Sequence, residues 1–260
     1  MTSALICAAL LVVFAAPCGA WGTKPHRAMT QTALDTLPQR WQARLGSEAT
    51  ALAETYCLLP DRYGELEQFG FLRKGPGPQT LEEMRAYCVR PDGVALHSFS
   101  WDSEDDLGTL VYLMERILRS LSEKRNVDAA RYMGTLAHLI EDSLSPPHAV
   151  SEDQLQALST GGNVMAIHGG IERSLPEFSL RGRAPQVVGH GIVSAAQEIL
   201  ARVYAAAERN RTSLPQMAHA VVRDDQATLD AHRLRAGRAA AELLADALCT
   251  VFTMEEYQAR

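Results

Sequence analysis

Residues 105–124, DDLGTLVYLMERILRSLSEK, carry apolar side chains three and four positions apart, which is the spacing of one face of an α-helix. The positions on that face are Leu110, Leu113, Met114, Ile117, Leu118 and Leu121. Similar periodicity recurs along most of the chain, whereas the alternation typical of a β-strand does not stand out. We therefore predict an all-α fold, formed as a single multi-helix domain over residues 21–260. The predicted helices are Pro25–Leu37, Trp41–Cys57, Asp105–Lys124, Val127–Leu144, Val164–Leu175, Val187–Arg209, Leu214–Val222 and Gln226–Phe252.

The overall composition is that of a globular protein. The 260 residues are 47% hydrophobic and 22% charged, which excludes a disordered, a collagen-like or a multi-span membrane protein. The formal net charge is -6, so no general surface for polyanions is expected. Recognition of a phosphate group would need a local source of positive charge.

The first twenty residues, MTSALICAALLVVFAAPCGA, contain no charged side chain and are almost purely apolar from Ala4 to Ala16. A segment of this length is too short to span a bilayer comfortably and is typical of a signal peptide. Cys18 and Ala20 supply the small residues of a cleavage site before Trp21. We therefore expect residues 1–20 to be removed and the mature protein to be secreted or periplasmic, with a lipid anchor on Cys18 as the competing interpretation.

Three cysteines remain after the leader, namely Cys57, Cys88 and Cys249. An oxidising compartment allows one pair to form a disulfide. Cys57 with Cys88 is the favoured pair, because their bond would close the loop-rich stretch between them. Three unpaired and buried thiols are the alternative.

Two pairs of a histidine and a carboxylate lie four residues apart, which places both members on one face of a helix. His138 and Asp142 form the first pair, and His168 and Glu172 the second. His148 follows the first pair just after two prolines. One such pair is usually an ordinary contact along a helix surface. Two pairs with a third histidine favour a metal site, since zinc prefers imidazole and carboxylate ligands that converge from rigid elements.

A free amine at Trp21 after leader cleavage could bind a metal together with its own carbonyl, and His26 is close in sequence. The full set of candidate ligands closely resembles, in order and type, the nine ligands of the trinuclear zinc superfamily of bacterial zinc-dependent phospholipases C and single-strand-specific zinc nucleases. The set is Trp21, His26, Asp61, His97, His138, Asp142, His148, His168 and Glu172. The most specific part is residues 134–148, GTLAHLIEDSLSPPH.

The resemblance implies three zinc ions and assigns their ligands. One ion would be held by Asp61, His97, His138 and Asp142. A second, bridged to the first through Asp142, would take the amine and carbonyl of Trp21 with His26. The third would be bound by His148, His168 and Glu172.

The same resemblance implies hydrolysis of a phosphodiester by a zinc-activated water, with Asp61 as both ligand and candidate general base. Asp92 is the alternative to Asp61, because Asp61 lies 36 residues before His97 and an inserted loop with Cys88 would have to separate them. Glu141 or Asp102 is a hypothetical partner that orients the imidazoles.

The favoured function is a secreted phospholipase C that acts on phospholipid at a membrane surface. The pattern from His168 to Glu172 resembles the phospholipases, whereas the short gap between Trp21 and His26 resembles the nucleases. A nuclease for single-stranded nucleic acid is therefore the alternative, and a helical protein with purely structural zinc is a third hypothesis.

We expect a monomer without a stable protein partner. The aromatic side chains expected to meet the bilayer are Tyr63, Phe69, Phe71 and Phe99.

Overall fold

The computed structural model describes residues 21–72, 77–158 and 163–258, so the expected signal peptide lies outside the described residues. All regular elements in these ranges are helical, which confirms the all-α prediction. The α-helices are α1 (Thr23–Thr36), α2 (Gln39–Leu45), α3 (Ser47–Glu54), α4 (Leu59–Phe69), α5 (Leu81–Cys88), α6 (Ser103–Ser122), α7 (Asn126–Ser143), α8 (Glu152–Leu158), α9 (Val164–Glu172), α10 (Ile192–Arg223) and α11 (Gln226–Gln258). Two 3-10 helices, Tyr56–Leu58 and Pro146–Ala149, complete the set. In the described ranges, strand-like pairing is limited to one bridge between Val89 and Ala95.

Helix α7 lies at the centre of the fold. It contacts α1, α3, α4, α5, α6, α10 and α11, and every residue from Met133 to Ser143 is buried. A helix that is covered on all sides places even its polar side chains in the interior. The predicted apolar face of α6 packs against it, and its six residues are all buried. The long helices α10 and α11 pack against each other, and both contact α6 and α7.

Several predicted helix bounds were wrong, for identifiable reasons. The helix expected over Trp41–Cys57 is broken at Gly46, whose φ of 60° ends α2 and lets α3 begin at the next residue. The two helices expected on either side of residues 210–213 form the single helix α10, which continues through Pro215. Leu214 and Met217 remain buried across the proline, so tertiary packing holds the helix together there.

The stretch between Asp61 and His97 was expected to be an inserted loop, but it contains most of α4 and all of α5. Thr80 begins α5 with a capping box, in which its side chain accepts from the Glu83 amide and the Glu83 carboxylate accepts from the Thr80 amide. The chain then turns at Gly93, and the Val89–Ala95 bridge directs it to His97.

The favoured disulfide between Cys57 and Cys88 is not formed. Cys57, Cys88 and Cys249 are all free and buried, as the alternative had it. The Cys57 thiol donates to the Ala53 carbonyl at 3.1 Å, and burial raises the pKa of both the Cys57 and Cys88 thiols. Each thiol is therefore packed as a small core side chain rather than as half of a crosslink.

Candidate metal centre

The histidine, aspartate and glutamate side chains of the predicted site form three groups, each of which contains one carboxylate that gives the group its name. In each group the ligand atoms lie within 4.8 Å of one another. The Asp142 group is His26, His138 and Asp142; the Asp61 group is Asp61, His97 and His138; and the Glu172 group is His148, His168 and Glu172. The structure therefore brings together eight of the nine predicted ligands as side chains, and His138 belongs to two groups.

His138 and Asp142, both on α7, form a fully buried part of the centre. His138 and Asp142 are one helical turn apart, neither side chain is exposed, and His138 Nε2 lies 3.0 Å from Asp142 Oδ2. His138 Nδ1 is paired with the Cys57 carbonyl at 2.8 Å, so it carries the proton and leaves Nε2 as the atom that faces the centre. A Cβ at Gly134 would lie 2.4 Å from the Tyr56 carbonyl, so this close approach of chain and helix depends on glycine.

Asp142 faces two groups with its two oxygens. Oδ1 lies 3.2 Å from His26 Nε2, whereas Oδ2 faces His138 and lies 3.5 Å from His97 Nδ1. Burial alone would raise the pKa of this carboxyl, but the neighbouring His138 and His26 imidazoles hold it well below its ordinary value. A carboxylate that is ionised at neutral pH, with one oxygen towards each group, can bridge two cations.

Glu141 orients His26. Its Oε2 lies 2.6 Å from His26 Nδ1, and its Oε1 accepts from the Thr30 hydroxyl at 2.7 Å. Burial would lower the pKa of His26, but the neighbouring Asp142 and Glu141 carboxylates raise it well above the ordinary value. Of the two hypothetical orienting residues, Glu141 has this contact, whereas Asp102 accepts from backbone amides at the start of α6.

Asp61 lies in the first turn of α4, and its Oδ1 is 3.1 Å from His97 Nε2 and 3.7 Å from His138 Nε2. Burial would raise the pKa of Asp61, but His138 and His97 lower it below its ordinary value. The side chains of Asp61 and His97 are 25% and 31% exposed, so this group opens to solvent. Asp92, the alternative ligand, is exposed and pairs with Arg90 in the turn before His97.

The Glu172 group joins the Pro146–Ala149 turn to α9. His168 Nε2 lies 2.8 Å from Glu172 Oε2, and His148 Nε2 lies 3.1 Å from His168 Nε2. The Ser145 hydroxyl donates to Glu172 Oε1. Arg233, a buried residue of α11, donates to the carbonyls of residues 170 and 171 at the end of α9. Sequence reasoning missed Arg233, which fixes the helix end that carries Glu172.

Trp21, the ninth predicted ligand, is fully buried beside the centre. Its indole nitrogen donates to the Glu141 carbonyl at 2.9 Å, and the following Gly22 amide donates to the Glu172 carbonyl at 3.3 Å. The first described residues thus lie between Glu141 and Glu172. The other three histidines, His190, His219 and His232, belong to none of the three groups.

The polar atoms that face the centre fit metal ions. Among the described residues, eight buried side-chain nitrogen and oxygen atoms make no hydrogen bond of acceptable geometry, and five of them belong to these groups, where they face one another at distances such as 3.0 Å between His138 Nε2 and Asp142 Oδ2. The five are His26 Nε2, His138 Nε2, both carboxylate oxygens of Asp142 and Glu172 Oε2. Buried polar atoms without a partner are costly, and cations placed between them would satisfy all five. These residues could therefore hold metal ions.

The aromatic side chains around the centre differ from those predicted. Tyr63 and Phe99 are buried in the core, Phe69 is half-buried, and Phe71 is 61% exposed. Trp101, which was not in the predicted set, is 38% exposed, and its indole nitrogen donates to the carbonyl of His148. No helix within the described ranges has the length and apolar character needed to cross a membrane.

Comparison of the chain with protein-family models, with curated proteins and with solved structures finds no match.

Proposed function

We propose that this chain is a zinc-dependent phosphodiester hydrolase that cleaves phospholipids on the glycerol side of the phosphate, as a phospholipase C does. The observation that supports the proposal most is that two groups share His138, that Asp142 faces His97 of the second group at 3.5 Å, and that a third group of the same ligand types is present. Imidazole and carboxylate are the ligands preferred by zinc. Several cations held this close together would also supply the positive charge that a chain of net charge -6 otherwise lacks.

The proposed ligand assignment follows the three groups. Asp61, His97, His138 and Asp142 would hold one zinc ion, and Trp21 with His26 and Asp142 would hold a second. His148, His168 and Glu172 would hold the third. When bound, the ions stabilise negative charge on the phosphoryl oxygens and lower the pKa of water from about 15.7 towards neutrality.

Asp61 is the candidate general base of the proposal. Its carboxylate is ionised at neutral pH, so it can accept a proton from an attacking water, although its lowered pKa makes it a weaker base than an ordinary aspartate. Its partial exposure places it where the centre opens to solvent, whereas His26 and Asp142 are fully buried.

The exposure of the ligands favours catalysis over a purely structural role for the metal. Structural zinc sites are closed by their protein ligands, whereas catalytic sites keep a position open to water or substrate. His97 and His148 are 31% and 15% exposed, so the Asp61 and Glu172 groups are open on one side.

Release of phosphocholine from phosphatidylcholine tests the proposal. The protein beginning at Trp21 is loaded with zinc and incubated with lipid, with and without a chelator. We expect release that the chelator abolishes. Hydrolysis of single-stranded DNA in place of lipid would favour the nuclease, and hydrolysis of neither substrate would contradict the proposal.

A pair of matched variants links the activity to the centre. Asp61→Asn removes a carboxylate from the Asp61 group, whereas Asp92→Asn removes one from an exposed turn. We expect phosphocholine release to be lost in the first variant and kept in the second. Equal activity in the two variants would contradict the role given to Asp61.

A further inference from the structure

Trp101 has an unusual backbone conformation beside the metal centre. Three residues other than glycine have positive φ in the described ranges, and two of them, Lys124 and Asp224, lie within two residues of the C-terminal ends of α6 and α10. Trp101, with φ of 67°, instead precedes α6. A bulky residue rarely adopts this conformation unless its surroundings impose it.

The surrounding contacts impose the conformation of Trp101. Asp106 is buried in α6 and accepts from the backbone amides of Ser100 and Trp101 at 2.8 and 3.0 Å. It also accepts from the Tyr204 hydroxyl at 2.6 Å, and the Tyr204 ring packs 5.3 Å from the Trp101 ring. The turn is therefore held by a buried carboxylate, although the side chain it presents is an exposed tryptophan.

The indole lies against a partly exposed ligand of the Glu172 group. Its nitrogen donates to the carbonyl of His148 at 3.1 Å, and the His148 side chain is 15% exposed. Because that hydrogen bond uses the only polar atom of the indole, the part of the side chain left to solvent is hydrocarbon. An exposed apolar ring that contacts the backbone of a ligand of the Glu172 group is placed to meet an apolar part of the substrate.

We propose that Trp101 is a specificity-determining residue that inserts into the lipid surface next to the metal centre and positions phospholipid there. This inference rests on the proposed function, because it takes the substrate to be a phospholipid. The satisfied indole nitrogen favours the hydrocarbon of a lipid over a polar partner. An aromatic ring also stacks on nucleobases, so single-stranded nucleic acid is tested as the other occupant.

Intrinsic fluorescence reports on this residue directly. The chain has three tryptophans, and Trp21 and Trp41 are buried. Trp101 is therefore the tryptophan available to an external quencher. The zinc-loaded protein beginning at Trp21 is mixed with vesicles of phosphatidylcholine brominated in the acyl chains, and fluorescence is recorded in the first seconds while phosphocholine release is assayed in parallel.

We expect the brominated vesicles to quench wild-type fluorescence and to leave Trp101→Phe unquenched. Quenching without phosphocholine release would leave the lipid contact standing and contradict the proposed function. Phosphocholine release without quenching would overturn the role of Trp101 and leave the proposed function standing. Quenching by a single-stranded oligonucleotide and not by vesicles would overturn the lipid contact.

A kinetic comparison separates substrate positioning from structural damage. Two substrates are compared for Trp101→Ala: phosphatidylcholine vesicles, and a short-chain phosphatidylcholine below its critical micelle concentration. The rate on vesicles should fall about tenfold more than the rate on the short-chain lipid, because a tenfold loss is the size expected when one buried aromatic contact is removed. Zinc content is measured for each variant, because Trp101 contacts the backbone of His148. An equal fall on both substrates, or loss of zinc that accounts for the fall, would overturn the inference.

Discussion

The Asp142 and Glu172 groups use the same ligand chemistry but are built differently. The side chains of the Asp142 group are completely buried and come from α1 and α7, where Glu141 and the Cys57 carbonyl fix each imidazole. In the Glu172 group His148 is 15% exposed and comes from a short 3-10 turn. The comparison indicates that the fold supplies one rigid group in its core and places the more open group at its edge, where substrate can reach it.

The largest contrast is expected from removing the carboxylate of each group. Asp142 faces two groups, so Asp142→Asn should lose the zinc of both. Loss of a hydrogen-bond partner of a metal ligand costs up to roughly 100-fold in activity, and loss of Asp142 itself should reduce phosphocholine release by more than that. Glu172→Gln should lose the zinc of one group. Zinc per chain is measured by atomic absorption, and full zinc content in Asp142→Asn would show that Asp142 does not bridge.

A substitution at Glu141 tests whether its hydrogen bond to His26 orients that ligand in the Asp142 group. Glu141→Gln should weaken zinc binding at the Asp142 group by about 10- to 100-fold, because His26 loses the carboxylate that orients it. Glu115→Gln removes the same charge from the exposed face of α6 and serves as the control. Competition with a chromophoric chelator measures the affinities, and equal values for the two variants would contradict the positioning role.

A substitution at Gly134 tests the close packing of α7 on the Tyr56 backbone, which places the Cys57 carbonyl beside His138. A Cβ there would overlap the Tyr56 backbone, so Gly134→Ala should lower the free energy of unfolding by about 1–3 kcal/mol. Gly64 lies in α4 with no atom near the position of an added Cβ, so Gly64→Ala should raise it by about 0.5–1 kcal/mol. Urea denaturation measures both, and equal stability of the two variants would show that the close approach is not required.

The smallest expected effect is the pH dependence of the metal-free protein. Burial lowers the pKa of His26, His97 and His168, but the nearby carboxylates outweigh it and raise each pKa above its ordinary value. The protonated imidazoles therefore stabilise the folded protein below about pH 6.5, and this stability is lost as the pH rises through their pKa values in the folded state. The lowered pKa values of Asp61 and Asp142 contribute stability above about pH 3.8 that is lost on acidification through the folded values. Burial lowers the pKa of His148, which acts against the other three imidazoles.

The metal-free protein should therefore be most stable in mildly acidic solution. Zinc requires neutral imidazoles, so the loss of stability on the alkaline side should disappear when zinc is bound. Urea denaturation with a chelator and with zinc, between about pH 5 and pH 9, measures the difference. Greater stability of the metal-free protein at pH 8 than at pH 6 would contradict the charge states given to the three histidines.

The candidate site was largely predictable because its strongest pattern is local. Residues four apart on a helix face the same side, so the convergence of His138 with Asp142, and of His168 with Glu172, follows from spacing once the segments are helical. The pairing of Asp61 with His97 does not follow from a local pattern, since 36 residues and α5 separate the two. A signal for α4 was present in Pro60 and Asp61, because proline and acidic residues favour the first turn of a helix.

The contacts that hold the site were less predictable because they join distant parts of the chain. Thr30 and Glu141 are 111 residues apart, and Arg233 and Ile171 are 62 apart. The continuity of α10 through Pro215 also depends on tertiary packing, which local propensity does not contain. The role of Trp101 required its backbone angle and exposure, neither of which its sequence context indicates.

Anomalous X-ray scattering at the zinc absorption edge, from crystals of the zinc-loaded protein beginning at Trp21, shows whether and where zinc binds. We expect three peaks: one in the Asp61 group, one between His26 and Asp142 beside Trp21, and one in the Glu172 group. No peak at these residues, or a single peak surrounded entirely by protein ligands, would contradict the assignment of a catalytic three-metal centre.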